Sequence, residues 1–219
     1  MKTLKYVSTV TFAFSLLFLV NFTTKKEQEI TLDSIEQKED LKVAYFASGC
    51  FWCVEAIFES VEGVEEAISG YAGGKTKNPT YRNIGTGTTG HAETVAVYYN
   101  PKKVTFETLV AVFFGSHNPT TKNGQHPDYG TQYRSIAFYQ NTKEKEAIDT
   151  AIVYLNKKFY KGKIVTEITK FSKFYKAEDY HQNYERLHPE NPYVQQVSIP
   201  RLNKFKKAFP YLLKIGKKH

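Results

Sequence analysis

The sequence predicts an α+β fold, a two-layer sandwich in which helices pack on one side of a mixed sheet. Three observations predict it. Strand-like apolar runs and helical apolar stripes are interleaved without the strict alternation of a doubly wound sheet. Two long stretches, 75–90 and 115–130, carry Gly, Asn, Thr and Pro and read as loops set between those elements. Hydrophobic residues make up 41% and charged residues 24% of the 219 residues, as expected of one globular core of roughly 150–180 residues with extensions.

In order, residues 43–47 form an apolar strand. Residues 51–60 form a helix with Val54, Ile57, Phe58 and Val61 on one face, and Gly63 follows where a helix cap belongs. A second strand over 65–71 runs into Ala72-Gly73-Gly74. The loop 75–90 precedes a strand of β-branched and aromatic residues over 91–99, ended by Asn100-Pro101. A helix spans 105–114 and a long loop 115–130. A strand covers 134–139. Asn141, with Glu144 three residues on, caps a helix over 141–159. A strand over 164–171 and a short helix over 177–187 complete the core. Loops of this length inside a domain usually carry function.

The ends differ in character. Lys2 and Lys5 precede a charge-free apolar run from Tyr6 to Thr24, so residues 1–24 read as a signal peptide or membrane anchor. Such a segment implies export to the periplasm or cell envelope. Residues 25–41 form a charged linker, 42–190 the catalytic core, and 191–219 a basic C-terminal extension. The formal charge is +8, and Arg201, Lys204, Lys206, Lys207, Lys214, Lys217 and Lys218 follow one another with no acid between them. A solvated basic face or an anionic membrane surface explains this run better than nucleic acid does.

Chemistry concentrates at Gly49-Cys50-Phe51-Trp52-Cys53, which holds the only two cysteines. With a strand before and a helix after, Cys50 faces unpaired N–H groups and the positive end of a helix dipole, which favours thiolate, the reactive form. Phe51 and Trp52 place apolar surface beside it. A zinc site needs a second pair of soft ligands, and none is present, so no metal is expected. Buried structural thiols are the weaker alternative. Gly85-Thr86-Gly87-Thr88-Thr89-Gly90 follows a loop and opens a strand, the wrong context for a dinucleotide fingerprint. Glu93 opens an otherwise apolar strand; burial there raises a carboxyl pKa and makes a general acid, the alternative being a surface glutamate. Tyr81, Asp128 and Tyr133 add hydrogen-bonding groups at loop ends, and phenols donate without losing charge.

Six blocks coincide in order and spacing across roughly 42–190: 49–53, Gly70-Tyr71-Ala72-Gly73-Gly74, Asn78-Pro79-Thr80-Tyr81, Gly90-His91-Ala92-Glu93, Gly130-Thr131-Gln132-Tyr133-Arg134-Ser135 and Ala177-Glu178-Asp179-Tyr180-His181-Gln182. Together they resemble the peptide methionine sulfoxide reductases of type A. The resemblance implies a ferredoxin-like core and reduction of methionine-(S)-sulfoxide, free or in proteins, as repair after oxidation. It implies Cys50 as nucleophile, Glu93 as acid, Tyr81 and Tyr133 on the sulfoxide oxygen, and Phe51 and Trp52 around the substrate methyl group. Asp128 and His181 would help to arrange the site. The Cys50 sulfenic acid would pass to a disulfide reduced by an external, thioredoxin-like dithiol, with no cofactor. Two departures stand out. Residues 189–219 lack the resolving cysteines that many members carry there, which leaves Cys53 as the internal candidate. Asn118, in His117-Asn118-Pro119, replaces a common Asp. The rival readings are a thioredoxin-type dithiol oxidoreductase, suggested by Cys-x-x-Cys, and an anchored binding module for methionine peptides.

Overall fold

The computed structural model describes residues 40–215. The expected signal or anchor over 1–24 and nearly all of the linker lie outside the described residues. Among the described residues, no helix is long and apolar enough to cross a membrane. The chain order is β1 (Lys42–Ser48), α1 (Phe51–Glu59), β2 (Val64–Ala72), α2 (Tyr81–Gly85), β3 (Ala92–Tyr99), α3 (Phe106–Gly115), β4 (Gly124–Gln125), β5 (Asp128–Tyr129), β6 (Ser135–Tyr139), α4 (Thr142–Leu155), β7 (Glu167–Lys170), β8 (Phe174–Lys176), α5 (Tyr184–Leu187) and α6 (Ile199–Ala208).

The main sheet has the order β7-β6-β1-β3-β2-β8. All its pairings are antiparallel except β6 with β7, so the sheet is mixed as expected. Within it, β1-α1-β2-β3-α3-β6 gives the central order β6-β1-β3-β2, the ferredoxin-like arrangement.

Strand parity decides what faces the helices. Ala44 and Phe46 of β1, Ala67 and Tyr71 of β2, and Val95 and Val97 of β3 join the helical core. Phe46 lies at its centre, with ring centroids 5.2 Å from Phe58, 6.1 Å from Phe106 and 5.1 Å from Phe113. Truncating such a ring costs about 3–5 kcal/mol. Glu93 shares the parity of Val95 and Val97, so its carboxyl is turned under α1. The opposite face forms a second apolar cluster, in which Ala47, Ala72, Ala92 and Ala96 lie among Tyr45, Ile68, Tyr98, Ile136 and Phe138. Phe171 closes it, stacked on Tyr45 at 3.7 Å.

Helix starts follow the expected chemistry. Thr105 caps α3 by accepting from the Thr108 N–H, and Asn141 caps α4 by accepting from that of Glu144. The helix expected over 141–159 ends at Leu155 and continues as a wider π turn through Tyr160. The loop expected over 75–90 contains α2, capped by Thr80, and 115–130 contains the β4–β5 hairpin. The strand expected over 164–171 is confined to β7, and β8 is an additional edge strand. The helix expected over 177–187 breaks at Asn183, which takes φ +56° between a 3-10 turn (Asp179–His181) and α5.

The largest difference concerns the residues after 190. The segment read as a basic extension forms a π turn (Val194–Ser198), α6 and a 3-10 turn (Pro210–Leu212). Val194, Leu202 and Phe205 are buried, the last two in the core against α1. Val61 bridges Leu213, and the Lys214 N–H donates to the Ser60 carbonyl at 3.0 Å. The packed unit therefore continues well beyond residue 190.

Candidate active site

Strand β1 delivers the chain to Gly49, which takes φ +87° and whose missing Cβ would strike Gln125 at 2.8 Å. This turn sets Cys50 at the N-cap of α1, 6% exposed. The thiol makes no cap hydrogen bond. The first free amide of the helix, Phe51 N–H, donates instead to Glu93 Oε2 at 3.0 Å. The expected thiolate at the helix end therefore does not arise at Cys50. Burial holds this thiol well above its ordinary pKa, and the Cys53 sulfur and Glu93 carboxyl push it the same way. At rest it is a protonated thiol.

Glu93 is 2% exposed and lies opposite Tyr71 on β2. Burial pushes its carboxyl up to about 8, opposed by the Phe51 hydrogen bond and helped by the charge of Asp128. A protonated acid at neutral pH is what the sequence anticipates there. Tyr81 and Tyr133 both feel this carboxyl. Burial and then Glu93 push Tyr81 up to about 12, and the same two causes raise Tyr133. Both phenols stay protonated and able to donate. Tyr81 is held from behind: Glu178 accepts from the Tyr81 N–H at 2.9 Å and from the Tyr71 hydroxyl at 2.8 Å.

Phe51, Trp52 and His181 build one aromatic wall. The Phe51 ring lies 5.0 Å from His181 and 6.3 Å from Tyr81. Trp52 stacks on Tyr184 at 3.8 Å and donates its indole N–H to His181 Nδ1 at 3.2 Å. Burial lowers the His181 pKa, so the ring is neutral, and the Trp52 bond leaves the proton on Nε2, which has no partner among the described residues. Gln182 fixes this stretch by bonding both the N–H and the carbonyl of Ser69, at 3.0 and 3.1 Å. Buried Glu55 accepts from the Asn183 N–H and the Ser69 hydroxyl, which sets the turn that presents Tyr184.

Asp128 receives a 2.5 Å hydrogen bond from the Tyr193 hydroxyl, and Tyr193 also bonds toward Cys50, opposing the rise of its pKa. A cleft of about 850 Å³ opens beside Asp128 and runs past Gln125 and Arg201 to Lys204. Asn118 does what an Asp would do in its loop: its Oδ1 accepts from Thr120 N–H and Oγ1 at 3.0 and 2.7 Å.

Cys53, one turn on from Cys50, is 1% exposed, and both cysteines are unbonded thiols. The Ser198 hydroxyl donates to its sulfur at 3.0 Å. The hydrogen bond from Cys50 lowers the Cys53 pKa to about 7 against burial, helped by the Arg201 charge and Ser198. Arg201 is not a solvated member of a basic face. Its guanidinium donates to the carbonyls of Ser116 and Ser48, both at 2.9 Å, just behind the Cys50 turn.

All nine residues singled out in the sequence fall in this one region. Tyr184, Tyr193, Ser198, Arg201 and Glu178 were not among them. The spacing of Leu202 and Phe205 within the basic run was the available sign that this segment packs.

A family model described as peptide methionine sulfoxide reductase matches residues 42–211, an upper limit that coincides with the packed C-terminal segment. A peptide methionine sulfoxide reductase MsrA of Ruthia magnifica is 52% identical over 165 residues, covering 75% of this chain and 98% of its own. The MsrA 1 of Rhodopirellula baltica is 47% identical over 168 residues, covering 77% and 87%. Among solved structures, Mxr1 of Saccharomyces cerevisiae in reduced form superposes with a TM-score of 0.66 at 34% identity, covering 70% of this chain and 89% of that one. The methionine sulfoxide reductase A of Corynebacterium diphtheriae gives 0.64 at 35% identity, covering 71% and 78%. Sequence, sheet order and the Cys50 turn converge, and the chain belongs to the peptide methionine sulfoxide reductase family.

Proposed function

We propose that this protein reduces the S epimer of methionine sulfoxide, free or within proteins, and so repairs oxidised polypeptides. One observation carries the reading: a buried, protonated Glu93 shares the helix start with Cys50 and faces two phenols. Sulfoxide sulfur is a poor electrophile until its oxygen is protonated or strongly hydrogen-bonded. Tyr81, Tyr133 and the Glu93 carboxylic acid supply that, while Phe51 and Trp52 take the methyl group.

The step balances within the site. Cys50 sulfur attacks the substrate sulfur, and the transient S–S bond and the substrate S–O bond both break as the oxygen is transferred to Cys50. The Cys50 thiol proton is returned to Glu93 as Glu93 protonates the oxygen. Cys50 thiol and sulfoxide thus become Cys50 sulfenic acid and methionine sulfide; substrate sulfur is reduced and Cys50 oxidised. Cys53 then attacks Cys50, water leaves, and a thioredoxin-like dithiol reduces the resulting disulfide. The cleft beside Asp128 gives room for the chain that bears the oxidised methionine. The apolar, charge-free run Tyr6–Thr24 supports export to the cell envelope; recovery of the protein in the cytoplasmic fraction with Met1 retained would refute that part.

The decisive experiment supplies each sulfoxide epimer separately, with dithiothreitol, to wild type and Cys50→Ser. Consumption of the S epimer alone, abolished in the variant, is expected. Equal consumption of both epimers, or of neither, overturns the reading.

A further inference from the structure

The reading above assigns Cys53 a role but gives its thiol proton nowhere to go. Cys53 is sealed from water by α1, α5, α6 and the turn that leads into α6. The titratable and charged groups that face it are Cys50 from α1, Glu93 from β3, Glu185 from α5, Tyr193 from the stretch before α6 and Arg201 from α6. Beside the Cys50 thiol, a second neutral donor reaches it: Ser198, itself fully buried, whose hydroxyl donates to the Cys53 sulfur at 3.0 Å. Ser198 also lies against the carboxyl of Glu185. Glu185 is 9% exposed, and its Oε2 has no hydrogen-bond partner among the described residues. A buried carboxylate oxygen left bare is costly unless it serves something.

We infer that Ser198 and Glu185 form a proton relay that activates Cys53, with Ser198 as the positioning residue and Glu185 as the terminal base. The inference rests on the proposed reductase cycle and concerns only its second step. In that step the Cys53 thiol proton passes to Ser198 Oγ as the Ser198 hydroxyl proton passes to Glu185. The Cys53 thiolate attacks Cys50 sulfur, the S–S bond forms and the Cys50 S–O bond breaks. The departing hydroxide takes a proton from Glu93 and leaves as water. Cys53 sulfur is oxidised and Cys50 sulfur reduced by one electron each, and solvent later returns the proton from Glu185 to Glu93. An amphiprotic hydroxyl suits this place because it accepts from a thiol and, after the transfer, donates to the thiolate. Burial raises the Glu185 pKa, which brings its basicity nearer to that of the thiol it serves. Arg201 remains beside both groups and moderates the charge that moves between them.

A single-turnover experiment on the full chain tests this. The S epimer of free methionine sulfoxide is mixed with reduced protein without reductant. Methionine is quantified by rapid quench, sulfenic acid by dimedone trapping, and disulfide by intact mass after alkylation. In wild type, methionine and disulfide appear in sequence. In Ser198→Ala, disulfide formation is expected to slow by about tenfold more than methionine formation, with dimedone-reactive Cys50 accumulating and the pH profile of the disulfide step moving upward. Ser198→Thr keeps the hydroxyl and restores most of the rate, and Glu185→Gln slows the same step. Ser198→Ala and Glu185→Gln that both form disulfide at the wild-type rate overturn the relay, as does a loss that is equal in the two steps. Absence of the methionine burst in wild type sinks the reductase reading itself, a different result from either.

Discussion

Cys50 and Cys53 stand one turn apart on the same helix, equally hidden from water, yet their surroundings push them in opposite directions. Cys50 is buried beside the Cys53 sulfur and the Glu93 carboxyl, and its thiol holds its proton. Cys53 faces a guanidinium and a hydroxyl and releases its proton more readily. The helix dipole acts on both and cannot tell them apart. Burial and the hydrogen bond between the two sulfurs separate them first, and side chains brought in from elsewhere add to it, β3 on one side and the C-terminal segment on the other. A nucleophile that stays protonated until the sulfoxide arrives is also protected from idle oxidation, since thiolate is the oxidisable form.

Removing each sulfur should separate the two roles most sharply. Cys50→Ser is expected to lose about 10⁴-fold or more in methionine formation. Cys53→Ser should form about one equivalent of methionine per chain and then stall with a thioredoxin-like donor, as read by quenched-flow product analysis. Continued turnover at the wild-type rate would erase the division of labour between them.

Glu93→Gln follows, with an expected loss of about 10²–10⁴-fold. In the proposed cycle the protonated form of Glu93 is the active one, and burial pushes its pKa up to about 8. Methionine formation in wild type should therefore fall as pH rises through about 8, a limb that Glu93→Gln should lack in a pH–rate profile. The same group shapes stability. Its folded pKa is raised from 4.5 to about 8. The stability that its neutral form provides is present in full below about 4.5 and is lost as pH climbs to about 8. Denaturant unfolding at both ends should show a fall of about 4–5 kcal/mol beyond that of Glu93→Gln.

Tyr193→Phe removes the donor to Asp128 and the bond toward Cys50, and about a tenfold slower methionine burst is expected. Arg201→Met cuts the links to the Ser48 and Ser116 carbonyls. A loss of about 1–3 kcal/mol in unfolding free energy and a higher Cys53 pKa, followed by the rate of alkylation in Cys50→Ser, should accompany it. A Cys53 that titrates unchanged in that variant would make the helix, not its neighbours, the cause of the contrast.

Much of this was legible in residues. Strand parity around Val95 and Val97 already turns Glu93 toward the helical core, and the alternation in β1 and β3 fixes which face α1 covers. Gly49 and the apolar spacing of Val54, Ile57 and Phe58 mark the strand-to-helix turn that carries Cys50. What was hidden depends on long-range contacts. The reversal of the Cys50 pKa depends first on its burial, then on the Cys53 sulfur and on the Glu93 carboxyl brought in from β3. The helix α2 lies in a Gly- and Asn-rich stretch, where Thr80 as cap and Glu178 from far along the chain hold it. The 191–212 segment has the composition of a solvated tail, and the spacing of Leu202 and Phe205 is what betrays how it packs.

That late segment sets a schedule for synthesis. Every motif block that marks the family is synthesised before Tyr193, Ser198 and Arg201. A chain that stops short of Tyr193 owns its nucleophile and its acid but lacks the tyrosine on Asp128, the hydroxyl on Cys53 and the clamp behind Ser48. Competence therefore arrives with the last turn of folding, and a truncated product, however complete its signature, has a reactive sulfur with no orderly way to discharge it.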